Sequence, residues 1–155
     1  MGEFFTGTVL LATFAAGVRL AVPYLLAALG ETIGQGTAAD VERVLDRVLE
    51  VAPVESIGVH FHDTYGQAIA NLVVSLDAGV SRLDSSAGGL GGCPYAPGAG
   101  GNVATEDVMW LLDGLGIDHD GDVYEVASVA TAFCTQHRLK YRSRAGEAVM
   151  ARSAQ

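Results

Sequence analysis

His60 and His62 flank Phe61 in the run Val59-His60-Phe61-His62-Asp63. In a strand, residues i and i+2 point to one face, so the two imidazoles project together and Phe61 goes the other way. Two imidazoles one strand repeat apart can share a divalent cation. Taken alone the pattern is weak, because two polar residues leaving a strand give the same spacing. The second cluster is a glycine-rich loop from Gly88 to Gly101, with Gly91-Gly92-Cys93-Pro94 at its centre. Glycine reaches backbone angles closed to other residues, so such a loop can fold tightly or move as a lid. Cys93 there is available for proton transfer or nucleophilic attack. Asn102, which follows the loop, offers an amide oxygen that can reach a cation. A plain surface loop with an incidental cysteine is the competing reading. Long loops in compact domains are mostly functional, which favours chemistry. Cys134 lies on the apolar side of a later helix pattern and reads as core.

These residues need elements to hold them. Thr37 with Asp40 three residues later forms a variant capping box, and Val41, Val44, Leu45, Val48 and Leu49 follow at helical spacing. Pro53 ends that helix. Ile57 to His62 reads as a strand. Asp63 or Thr64 caps the next helix, whose apolar face is Ile69, Leu72, Val73 and Leu76, and Gly79 stops it. Val80 to Asp84 is the next strand. Glu106 and Asp107 place acids in the first turn of another helix, where the dipole favours them. Its apolar face is Val108, Leu111, Leu112 and Leu115, and Gly116 ends it. Asp122 with Glu125 opens a last helix to about His137. Beyond it a basic tail, 138–155, is expected to fray.

Strands alternating with helices of this length mean βαβ units and a parallel α/β sheet. Three strands are visible: one ending near Gly30, one at the histidines and one at Asp84. The pattern alone leaves a barrel and an open doubly wound sheet equally available. Three strands cannot close a barrel. They are expected to leave an open edge and a bare face of Val, Ile and Leu, with the apolar lead, 1–30, packed over it. The chain thus reads as a single partial domain, with 31–137 holding the βα units.

Composition limits the partners. The 155 residues are 50% apolar, enough for a core, and the formal net charge is -9, which argues against a nucleic-acid surface. Two cysteines without a CxxC spacing indicate a reducing, cytoplasmic setting. The uncharged stretch Phe4 to Val18 is too short to span a bilayer, and Arg19 and Pro23 interrupt its continuation, so no membrane role is expected.

The cysteine loop then becomes specific. Asp84-Ser85-Ser86, the G-G-L-G-G-C-P-Y-A-P-G run from Gly88 to Gly98, and G-N-V-A-T-E-D from Gly101 to Asp107 resemble the signature loop of the 3-hydroxy-3-methylglutaryl-CoA lyases. The run V-H-F-H-D-T-Y-G-Q, Val59 to Gln67, is similar to that family's metal motif. Gly30-Glu31-Thr32-Ile33-Gly34 stands where the family has G-D-T-I-G. The likeness runs from Leu29 to Leu139. Related synthases share the histidine pair but lack G-G-C-P, which disfavours that third reading.

The resemblance implies the C-terminal part of a (β/α)8 TIM-type barrel, with about three βα units plus C-terminal helices. It implies that His60 and His62, with Asn102 nearby, ligate Mg²⁺ or Mn²⁺. It gives Cys93 a role in proton transfer on the lid formed by the Gly91-Gly92 loop, and makes Glu31 and His60 catalytic. The reaction implied is cleavage of 3-hydroxy-3-methylglutaryl-CoA to acetyl-CoA and acetoacetate, chemistry of leucine breakdown and ketone-body formation. Three departures stand out. The family's first strands, with a metal-binding aspartate, an arginine and a catalytic glutamate, have no counterpart between Met1 and Gly30. Glu31 replaces aspartate, and its extra methylene displaces the carboxylate. Gly100 replaces serine. The expectation is a fragment poorly active alone, completed by a missing N-terminal half or by further copies of itself. The alternative is a non-catalytic remnant or half-barrel partner subunit.

Overall fold

The computed structural model describes residues 27–31, 33–92 and 100–153, and of Ala27, Ala28 and Glu31 the backbone only. Their order is β1 (Ala27–Glu31), α1 (Ala38–Leu49), β2 (Ile57–Phe61), α2 (Ala68–Asp77), β3 (Arg82–Asp84), α3 (Thr105–Leu115), α4 (Val123–His137) and α5 (Arg144–Ser153). The strands form a parallel sheet in the order β1-β2-β3. Each parallel step needs a crossover, and α1 and α2 supply them.

Local chemistry sets several ends. Asp40 Oδ2 accepts the Thr37 amide at 2.9 Å and its hydroxyl at 2.7 Å, which closes the start of α1 as expected. Asp122 accepts the Glu125 amide at 2.9 Å and opens α4. Asp63 caps α2 from farther away: a turn intervenes, and its Oδ1 accepts the Ala68 amide at 3.0 Å. Gly116 takes a left-handed φ of 68° at the end of α3.

The core lies between the sheet and its helices. Ile57, Val59 and Phe61 of β2 pack with Val41 and Leu45 of α1, Ala68 and Leu72 of α2, and Val108 of α3. Cys134 is buried in α4, as expected. The opposite face of the sheet corrects the expectation of bare aliphatic side chains. Register pairs Gly30 with His60, Gly58 with Arg82, and His60 with Asp84. Parallel partners share a face, so that side carries glycine, histidine, arginine and aspartate rather than Val, Ile and Leu. A polar or small-residue face does not need an apolar cover in water. The expected packing of the lead, 1–30, over it lies outside the described residues, apart from β1.

The C-terminal tail also differs from expectation. Instead of fraying, 144–153 forms α5, which packs on α3 and α4. Asp107 Oδ1 accepts both the Ser143 hydroxyl at 2.8 Å and the Ala145 amide at 2.7 Å, which anchors the first turn of α5. Among the described residues no helix is long and apolar enough to cross a membrane.

Candidate functional site

His60 is the fourth residue of β2, and His62 leaves the strand one residue beyond its end. Their rings stand edge to face with centroids 5.2 Å apart, so the i, i+2 spacing brings both imidazoles to one place. The pair lies at the carboxyl ends of the parallel strands, where α/β folds place their chemistry. Beside it, Asp84 Oδ2 is 3.9 Å from His60 Nδ1, too far for a hydrogen bond.

The chain returns from the glycine loop directly onto this strand end. His62 and Asn102 form an antiparallel bridge, and on either side Asp63 N donates to Gly101 O at 3.1 Å and Val103 N to Phe61 O at 3.0 Å. Gly100 N donates to the Thr64 hydroxyl at 2.9 Å. Asn102 is thereby held next to the histidines. Its Nδ2 donates to Leu90 O at 3.0 Å, which orients the amide and leaves Oδ1 as the atom a cation can use.

The two loop glycines differ. A Cβ on Gly91, whose φ is 108°, would fall 2.6 Å from Asn102 Nδ2, so this position must stay bare for the amide to sit where it does. A Cβ on Gly92 would meet nothing within 4 Å. Gly101 is tighter still, since a Cβ there would lie 1.9 Å from Gly89 O.

Among the described residues, no three or more His, Cys, Asp or Glu side chains gather as a cation site. What the strand end does offer is two imidazole nitrogens and one amide oxygen. That donor set could form part of the shell of a divalent cation, with positions left for water or substrate oxygen, and its two imidazoles suit a transition-metal ion better than Mg²⁺. Cys93 and the side chain of Glu31, both singled out from the sequence, lie outside what the structure describes. The backbone of Glu31 pairs with Phe61 at the end of β1.

One hydrogen-bonded pair, Glu106 with Tyr141, escaped the sequence pattern. Glu106 reads there as an acid complementing a helix dipole, yet it is fully buried. Both of its carboxylate oxygens accept the Gly88 amide, at 3.0 and 2.9 Å, and Oε1 also accepts the Tyr141 hydroxyl at 2.9 Å. No local signal marks this, because its partners lie 18 and 35 residues away.

The family model described as HMGL-like matches residues 11–132. The chain belongs to the HMGL-like family. A hydroxymethylglutaryl-CoA lyase of Pseudomonas mevalonii is 48% identical over 126 residues, covering 81% of this chain and 42% of that protein. The mitochondrial hydroxymethylglutaryl-CoA lyase of Arabidopsis thaliana is 53% identical over 109 residues, 70% of this chain and 23% of its own length. The crystal structure of hydroxymethylglutaryl-CoA lyase from Pseudomonas aeruginosa superposes with a TM-score of 0.76 at 46% identity, over 81% of this chain and 42% of that one. The chain therefore spans less than half the length of these relatives. Within the HMGL-like fold, its three strands and their helices are the C-terminal part of a TIM-type (β/α)8 barrel. The face bearing His60 is the side a closed barrel turns inward.

Proposed function

We propose that this chain carries the histidine pair and cysteine loop of a hydroxymethylglutaryl-CoA lyase, a carbon–carbon lyase that cleaves 3-hydroxy-3-methylglutaryl-CoA to acetyl-CoA and acetoacetate. The observation that supports this best is the docking of Asn102 onto His62, beside His60, by a loop with the lyase signature. His60, His62 and Asn102 would hold Mg²⁺ or Mn²⁺. A divalent ion so held polarises the oxygens of a bound hydroxy acid.

The residues supply the rest. Cleavage removes the proton of the tertiary hydroxyl, breaks the adjacent carbon–carbon bond and leaves acetoacetate with the enolate of acetyl-CoA. Cys93, on the loop, returns a proton to that enolate carbon. Glu31, at the end of β1, stands where the family has its aspartate and is the candidate for handling the hydroxyl proton. A cytoplasmic setting accords with the two unpaired thiols expected of the sequence.

The open sheet supports a second element of the reading. Among the described residues the sheet has three strands, fewer than the eight that close a barrel, so full activity is expected of a completed barrel. An assay of acetyl-CoA release with Mn²⁺ tests both points. The expected result is turnover near background for this chain alone, restored by co-expression with the N-terminal half of a relative and abolished again by Cys93→Ser. Robust turnover by this chain alone, lost in Cys93→Ser, would show that copies of it rebuild the site. No turnover in either format would leave the remnant reading standing.

A further inference from the structure

The C-terminal segment passes beneath the glycine loop. Arg142 N donates to Gly88 O at 3.0 Å, and its guanidinium reaches Gly89 O at 3.5 Å. Tyr141, one residue earlier, is wedged between two glycines. A Cβ on Gly88 would come within 2.9 Å of Tyr141 Cδ2, and one on Gly146 would come within 1.8 Å of the phenolic oxygen. Glycine within a helix is less favourable than alanine. At Gly146, in the first turn of α5, the space so left is the seat of the Tyr141 hydroxyl.

That hydroxyl ends on Glu106 Oε1 at 2.9 Å, and the same carboxylate grips the Gly88 amide with both oxygens. Gly88 and Gly89 take left-handed φ values of 64° and 63°, so this turn admits one path for the chain. The path leads to Leu90, whose carbonyl holds the Asn102 amide. Burial, and then Glu106, raise the Tyr141 phenol well above its ordinary range, so it stays a hydrogen-bond donor at neutral pH.

We propose that Tyr141 is a positioning residue: seated against Gly146 and bonded to Glu106, it fixes the turn Ala87–Gly89 and, through Leu90, the Asn102 amide beside His62. The inference rests on the reading above in which Asn102 serves a divalent cation. It extends that reading to a residue in the segment that the sequence pattern marked as a frayed tail.

Amide exchange and Mn²⁺ broadening, followed by NMR on the ¹⁵N-labelled full chain, test it. In Tyr141→Phe, which removes only the hydroxyl, Gly88 amide exchange rises about ten-fold beyond any change at Val59. The Asn102 side-chain signals shift, and the Mn²⁺ concentration needed to broaden them rises about ten-fold. His60 and His62, which share the ion in the metal reading, need the same higher Mn²⁺ concentration, while their signals without metal stay as in the wild type. Gly146→Ala, which keeps the tyrosine and evicts its hydroxyl, reproduces the Gly88 pattern and serves if Tyr141→Phe does not fold. Equal acceleration at Gly88 and Val59 would mean a general loss of stability and overturn the proposal, as would an unshifted Asn102 amide. If Mn²⁺ broadens neither histidine in the wild type, the metal reading fails. Gly88 exchange and the Asn102 shift then still decide the role of Tyr141.

Discussion

Strand β2 sends its residues into two unlike settings. Ile57, Val59 and Phe61 are 0%, 1% and 3% exposed, while Gly58 and His60 between them are only partly covered. The first set contributes free energy of folding, since burying an aliphatic or aromatic side chain is worth about 1.5–3 kcal/mol. The second contributes almost none and includes the proposed metal ligand His60. Stability and the proposed site are thus separated along one strand by a period of two, and each can be disturbed without the other.

The largest disturbance belongs to the packed face. Phe61→Ala should destabilise the fold by about 3–5 kcal/mol in urea unfolding, because the cavity sits among buried neighbours. A loss below about 1 kcal/mol would mean that the two faces are less distinct than their exposure suggests. Asn71 is a polar intruder on that side: it is 1% exposed, and its Nδ2 donates to Gly36 O at 2.9 Å. Asn71→Ala would remove that hydrogen bond and should cost about 0.5–1.5 kcal/mol. On the other face, His60→Ala should change stability by less than about 0.5 kcal/mol, as surface substitutions do, while Mn²⁺ titration should show binding lost. Gly58→Ala should be nearly silent in both measurements. Its Cβ would meet Arg82 atoms at 3.6 and 3.7 Å, an ordinary contact.

A pH titration sharpens the contrast at its weakest end. His119 lies between α3 and α4, where hydrogen bonding to the Asp120 carbonyl and then to Asp113 raises its affinity for a proton. A raised histidine stabilises the fold below its unfolded pKa of about 6.5 and loses that contribution as pH rises through the folded value. His119→Gln should remove this small acid-side gain and leave the response at higher pH unchanged.

How far the sequence announced all this depended on distance along the chain. The capping pairs Thr37–Asp40 and Asp122–Glu125 and the His60–His62 spacing are local, and each is visible in four residues or fewer. The small and polar face of the sheet was partly visible: Gly58, His60 and Asp84 stand at alternate strand positions, but only the register shows that they adjoin. Glu106 was read as a helix-dipole acid because its bonds to Gly88 and Tyr141 reach across the fold. The tail was read as frayed because its composition is basic and polar. Its order comes instead from Ser143 and Ala145 on Asp107, contacts that no periodicity carries.

The crossing at Gly89 and Gly101 has one further consequence. The two backbones meet so closely that a Cβ at Gly101 would overlap the Gly89 carbonyl oxygen. The two ends of the cysteine loop are thereby tethered at a fixed separation. For a chain segment with tethered ends, doubling the length costs only about 0.6 kcal/mol of closure entropy. Lengthening the chain between the tethers is therefore far less costly than placing a side chain at Gly101.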